Sequence, residues 1–180
     1  MKTTKALVLV TILLTANRCS ILFPNEDDFL TIPKTLYTGN ELRLDGFYYD
    51  KWEHGTKYSD VTFFYNNGVA LQRGGSGDLS DLEEYAEQSV FLDSRIKDIK
   101  GFWGLFLIEN NKIIYEKWVG TQLGYLVYRE EGEILNDTTF FMTEQSRMNQ
   151  GIKTEVETID RTYCFKAFSP KPDSTNTCIP

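Results

Sequence analysis

Gly101-Phe102-Trp103-Gly104-Leu105-Phe106-Leu107-Ile108 is the stretch on which the fold turns. Written as a strand, it puts Phe102, Phe106 and Ile108 on one face and Trp103, Leu105 and Leu107 on the other. A sheet with one wet face alternates apolar and polar residues, so this run must be covered on both sides. The chain just before it supplies a cover. Leu82, Tyr85, Ser89, Leu92, Ile96 and Ile99 recur at three- and four-residue steps, the period of one helix face. Ser80-Asp81-Leu82-Glu83 has the form of a capping box with Ser80 as N-cap, and Gly101 is a natural stop. An amphipathic helix over about 80–100 is therefore expected on one side of the strand, with the sheet's own core on the other.

Strand patterns surround this centre. Leu42, Leu44, Gly46 and Tyr48 alternate with Arg43, Asp45 and Phe47, and Val61, Phe63 and Tyr65 repeat the two-residue period. Asn66-Asn67-Gly68 then turns the chain, because Asn-Gly tolerates the positive φ of a tight hairpin, and Val69 to Gln72 returns. Ile113 to Trp118 follows the turn Glu109-Asn110-Asn111-Lys112. Tyr125 to Arg129 is expected to turn at Glu130-Glu131-Gly132 into Glu133-Ile134-Leu135. Thr138 to Thr143 and Thr162 to Ala167 complete about nine short strands. The polar stretch Glu144 to Thr158 has no apolar period and reads as a mobile loop. The fold class is mainly β: an antiparallel meander closed into a curved sheet or barrel of about 8–9 strands, with one helix packed on it.

The 180 residues suit one domain with a targeting segment. Twelve Phe, ten Tyr and three Trp favour strands. Met1 to Lys5 is a short positive region and Ala6 to Leu14 an apolar run of nine residues. That run is too short to span about 30 Å of hydrocarbon but has the size of an export signal. Removing residues 1–18 leaves 16 basic and 26 acidic residues, a net charge of −10. So acidic a body repels phosphate backbones, and nucleic acid is not an expected partner.

Leu13 to Ser20, "LLTANRCS", places Cys19 directly after the apolar run. The first 20 residues resemble a bacterial lipoprotein signal, which is cut before a Cys that then carries acyl chains; here Arg18 stands where such signals have a small residue. The resemblance implies lipid attachment at Cys19, a membrane partner reached through that anchor, and a place in the cell envelope. Ser20 after the Cys resembles outer-membrane sorting, facing the periplasm or the cell surface. A cleaved soluble form and an uncleaved signal anchor stand as alternatives. Residues 19–35 then read as a lipidated tether, 36–169 as the β domain and 170–180 as an extended, proline-set tail. Cys164 and Cys178 are either a disulfide in an oxidising compartment or two unpaired thiols.

The meander, the polar turns "YNNGV", "IENNKI" and "REEGEI" and the exported N-terminus together resemble a lipocalin-like, or more broadly calycin-like, barrel over about residues 36–169. The only Gly-x-Trp match, Gly101-Phe102-Trp103, lies in mid-chain and not at the first strand.

Catalysis finds little support in the residues. His54 is the single histidine and reads as a loop residue, with no nucleophile elbow near it. One His and three scattered Cys give no zinc-ligand spacing, so neither metal nor cofactor is expected. Arg73-Gly74-Gly75-Ser76-Gly77-Asp78 lacks a P-loop ending and reads as a flexible connector. Glu83-Glu84 and Glu130-Glu131 sit at solvated positions. Two binding functions remain. Either the barrel mouth holds an apolar or amphipathic small molecule against Tyr48, Phe63, Tyr65, Trp103 and Trp118, or the domain, with a filled core, docks on another envelope protein.

Overall fold

The structure is a computed structural model that describes residues 27–51, 58–91 and 93–180. Cys19, His54 and Leu92 lie outside the described residues. Eight antiparallel strands follow the chain in order: β1 (Gly46–Lys51), β2 (Tyr58–Phe64), β3 (Val69–Gly77), β4 (Trp103–Glu109), β5 (Lys112–Thr121), β6 (Gly124–Asn136), β7 (Thr139–Asn149) and β8 (Ile152–Ala167). Each pairs with the next, and β8 returns to β1 through Gly46↔Ala167 to Lys51↔Thr162, so the sheet closes as a barrel without a free edge.

The two-faced run behaves as its composition demands. On β4, Phe106 and Ile108 point into the lumen, while Trp103, Leu105 and Leu107 point outward. The outer layer is covered by helix α1 (Leu79–Phe91), the single turn α2 (Asp93–Ile96) and the two terminal segments. Leu82, Ala86 and Ile96 pack there on Phe47, Phe63, Leu71 and Trp103. The lumen carries a second apolar cluster built on Tyr48, Phe64, Phe106, Phe140 and Tyr163, and Tyr37 and Leu42 close its end.

The tight turns use the residues that allow them. Asn110 and Asn111 take φ of 51° and 66°, and Gly68 takes 78°, where a Cβ would stand 2.3 Å from the Thr35 carbonyl oxygen.

Four local expectations are corrected. The helix cap is Asp78, not Ser80: its carboxylate accepts from the N–H groups of Ser80 (2.9 Å) and Asp81 (3.1 Å), while Asp81 accepts from the Asp78 N–H (2.9 Å). The same reciprocal pattern simply sits two residues earlier. Glu130-Glu131-Gly132 is not a turn but the middle of β6, so two expected strands are one and the total is eight. Glu144 to Thr158 is not a loop but the outer part of the β7–β8 hairpin, turning at Gln150 and Gly151. The glycine-rich connector is the end of β3, and Gly75 is required because a Cβ there would lie 2.6 Å from the Tyr85 ring on α1.

Both terminal segments are docked. Glu116, fully buried on the outer face of β5, accepts from the backbone N–H groups of Thr31 (2.5 Å) and Ile32 (3.2 Å) and from Arg129 Nε (2.8 Å). The segment read as tether is therefore bound to the barrel from Asp27 onward, where Asp27 also accepts from the Tyr125 N–H (2.9 Å). At the other end, Lys171 Nζ donates to the carbonyls of Leu44 (2.5 Å) and Phe64 (2.8 Å), and Ile179 is buried in the outer core.

Candidate functional site

Alternation along the strands gives the lumen two unlike halves. At the level of Tyr48, Phe64, Phe106 and Phe140 it is filled by rings in contact: Phe64–Phe106 and Phe140–Tyr163 centroids are each 4.7 Å apart, and Tyr48–Phe140 5.1 Å. One pleat toward the other end, the same strands turn in charged residues. These are Asp50 on β1, Asp60 on β2, Lys117 on β5, Glu130 on β6 and Arg161 on β8, with Thr62, Gln72 and Tyr115 at their foot. Asp60 sits at a break in the β2–β3 register with φ 55°, a conformation costly for most side chains and tolerated by Asp.

Glu130 organises the cluster. It is fully buried; Lys117 Nζ lies 3.1 Å and an Arg161 guanidinium nitrogen 3.2 Å from its Oε1, and the Tyr163 hydroxyl donates to Oε2 at 3.3 Å. Burial alone would push its carboxyl up, but the two cations outweigh burial and hold it below the ordinary carboxylate value. Glu130 is thus a charged, paired group inside the barrel. Among the described residues, two bases against three acids leave the others short. Asp50 is buried with only the Ser59 hydroxyl at 3.4 Å and Arg161 Nε at 4.0 Å, and burial pushes its carboxyl up to about 6. Asp60 is pushed up by burial too, with Lys117 partly opposing and the Gln72 side chain bonded to it. Thr62, 1% exposed, has a hydroxyl with no hydrogen-bond partner among the described residues. Solvent reaches the cluster through Arg161, whose side chain is 35% exposed.

The five aromatics expected to line one mouth are not brought together. Tyr48 alone is in the lumen, its hydroxyl donating to the Asp137 carbonyl (2.8 Å). The other four face outward and support what covers the barrel. Phe63 packs against the tilted ring of Phe168 (6.0 Å), Tyr65 donates to the Pro172 carbonyl (2.9 Å), Trp103 to the Ile96 carbonyl (2.9 Å) and Trp118 to the Asp28 carbonyl (2.9 Å). Their size was read correctly as buried; the face was not, because both faces of this sheet are buried and alternation alone does not say which is the lumen. Trp118 does border a groove of about 340 Å³ on the outer face, with Leu30, Leu105, Cys178 and Ile179.

Cys164 and Cys178 are not joined to each other. Cys164 lies on β8 between Tyr49 and Thr139, whereas the Cys178 thiol sits in the docked tail, 3.8 Å from the Lys97 carbonyl. Among the described residues no group of three or more His, Cys, Asp or Glu could hold a metal ion, and no helix is long and apolar enough to cross a membrane.

The charged group escaped the sequence reading because its members are far apart in the chain and each looked solvated. The available signal was Lys117 and Arg161 in mid-strand, at positions where a wet outer face was not needed. Comparison with known proteins finds no matching family model, curated protein or solved structure. The class this chain defines is that of a closed, eight-stranded antiparallel barrel with a helix-covered outer face and a charged lumen end.

Proposed function

We propose that this is a lipid-anchored, lipocalin-like barrel of the cell envelope that works by binding a small molecule at the charged end of its lumen, without catalysing a reaction. The observation that carries the reading is the solvent-reached cluster in which Asp50 and Asp60 lack full counter-charges while their neighbours are fixed by Glu130. The ligand chemistry expected from the aromatic residues changes accordingly, since the apolar half of the lumen is occupied by its own rings. Native mass spectrometry of the full chain, extracted in mild detergent, should show a retained small molecule and lipid mass on an N-terminal Cys19. A Cys19→Ala variant should leave the membrane fraction. An N-terminus elsewhere, or unmodified Cys19, removes the anchor from the proposal.

A second reading, docking on another envelope protein, is favoured by the exposed apolar tips of two hairpins, Leu123 between β5 and β6 and Ile152 and Val156 on β8. Photo-crosslinking from position 123 in cells separates it, because a discrete adduct forms only if that tip meets a partner.

A further inference from the structure

We infer that the lumen site takes a small organic cation, a primary amine or guanidinium, held between Asp50 and Asp60 with the Thr62 hydroxyl and Gln72 beneath it; this rests on the reading of the lumen as a binding site. The argument is one of unmatched valence. Among the described residues the two lumen cations sit closest to Glu130, at 3.1 Å and 3.2 Å on the same oxygen, and reach Asp50 and Asp60 only more weakly. Arg147, further out on β7, donates to Glu155 at 3.1 Å, while its buried Nε has no partner among the described residues. Among the described residues, an anion entering here would meet three carboxylates and no cation without a carboxylate partner of its own. An entering ammonium brings three N–H donors and no acceptor, and the site offers the complement. Among the described residues Asp50 Oδ2 has Ser59 at 3.4 Å and a guanidinium at 4.0 Å, and Asp60 has the Gln72 side-chain amide with Lys117 opposing its burial.

Thr62 is the independent mark of a missing partner. It lies directly across from Tyr48 on β1 and Gln72 on β3, on the lumen side, immediately below Asp60 on its own strand. It is buried with its hydroxyl unpaired among the described residues, in a protein interior where such groups are normally satisfied. A metal ion is a poorer occupant, because no three ligating side chains converge among the described residues. A long acyl chain is excluded by the rings of Tyr48, Phe64 and Phe140, which close the floor. The cation is therefore short.

The test is calorimetric titration of the full chain in detergent with n-butylamine and 1,4-diaminobutane, against butyrate and n-butanol as charge-reversed and neutral controls. The amines should bind and the controls should not. Asp50→Asn and Asp60→Asn should each weaken amine binding about tenfold or more, the scale of losing one partner of a buried charge pair. Should either variant fail to fold, the wild-type protein supplies the second measurement. Amine affinity should fall as pH drops through about 6, where Asp50 takes up its proton in the field of Asp60, Glu130, Lys117 and Arg161. Amine binding unchanged by both substitutions and by pH overturns the inference, as does no amine binding to a cooperatively folded protein. Butyrate bound in preference to butylamine overturns the cation but leaves the lumen a binding site. An empty lumen in native mass spectrometry, with no probe bound, removes both.

Discussion

The two halves of the lumen are built from the same strands and differ in almost every physical respect. In one, six aromatic rings from β1, β2, β4, β5, β7 and β8 make a contact network with no charge among them. In the other, five ionisable groups share a similar cross-section, and their pairing is incomplete. A barrel that needed only stability could carry rings throughout, since replacing a buried ion pair with well-packed apolar residues is often neutral or stabilising. The charged half is thus not what stability alone requires, and Tyr163 joins the two: its ring stacks on Phe140 while its hydroxyl serves Glu130.

That contrast can be broken from either side. Phe64→Ala should have the largest effect, a loss of about 4 kcal/mol in urea unfolding, because it removes a fully buried ring that touches Tyr48, Phe106, Tyr115 and Phe140. Glu130→Ala should cost about 3 kcal/mol, the low end for breaking a buried pair, because the Arg161 side chain is 35% exposed and keeps some water. If Glu130→Ala proved neutral, the charged half would be no more than a wet surface folded inward. Tyr163→Phe keeps the stacked ring and removes only the hydroxyl, so its loss should be about 1.5–2 kcal/mol, the scale of a hydrogen bond to a charged acceptor.

The pH dependence tests the same contrast, and Glu130 and Asp50 act with opposite sign. Glu130 is held below its ordinary value, so its contribution is present above that value and is lost as pH falls through the acid range. Asp50, raised from 3.8 to about 6, binds its proton more tightly in the folded chain than in the unfolded one. Stability should therefore decline as pH climbs from about 4 to about 6, and Asp50→Asn should flatten that window while leaving the acid limb intact. Paired urea titrations across the range would show it.

The ring-filled half was legible in the sequence and the charged half was not. Phe106 alternating with Leu105 already requires two covers, and the Asn-Gly and Asn-Asn turns encode their own positive φ. These are local properties. Glu130 next to Glu131 and Gly132 has the local chemistry of a turn, and only the approach of Lys117 and Arg161 on neighbouring and more distant strands makes mid-strand its better place. The outer β7–β8 hairpin failed for the same reason: Arg147–Glu155 and Lys153–Glu131 pairs hold strands whose residues show no apolar period. The aromatics were assigned to burial correctly but to the wrong side, since a strand covered on both faces gives no sign of which one is concave.

The Glu116 latch has a geometric consequence for how such a barrel would hang. The chain from Asp27 to Tyr37 runs along the outside from the β6 start at Tyr125 toward the Asn66 turn, so Asp27 stands at the charged rim. Seven residues lie between Cys19 and Asp27, so the eight steps from one to the other reach at most about 28 Å when fully drawn out. A protein fastened by that cysteine would hold its charged rim within that distance of the bilayer.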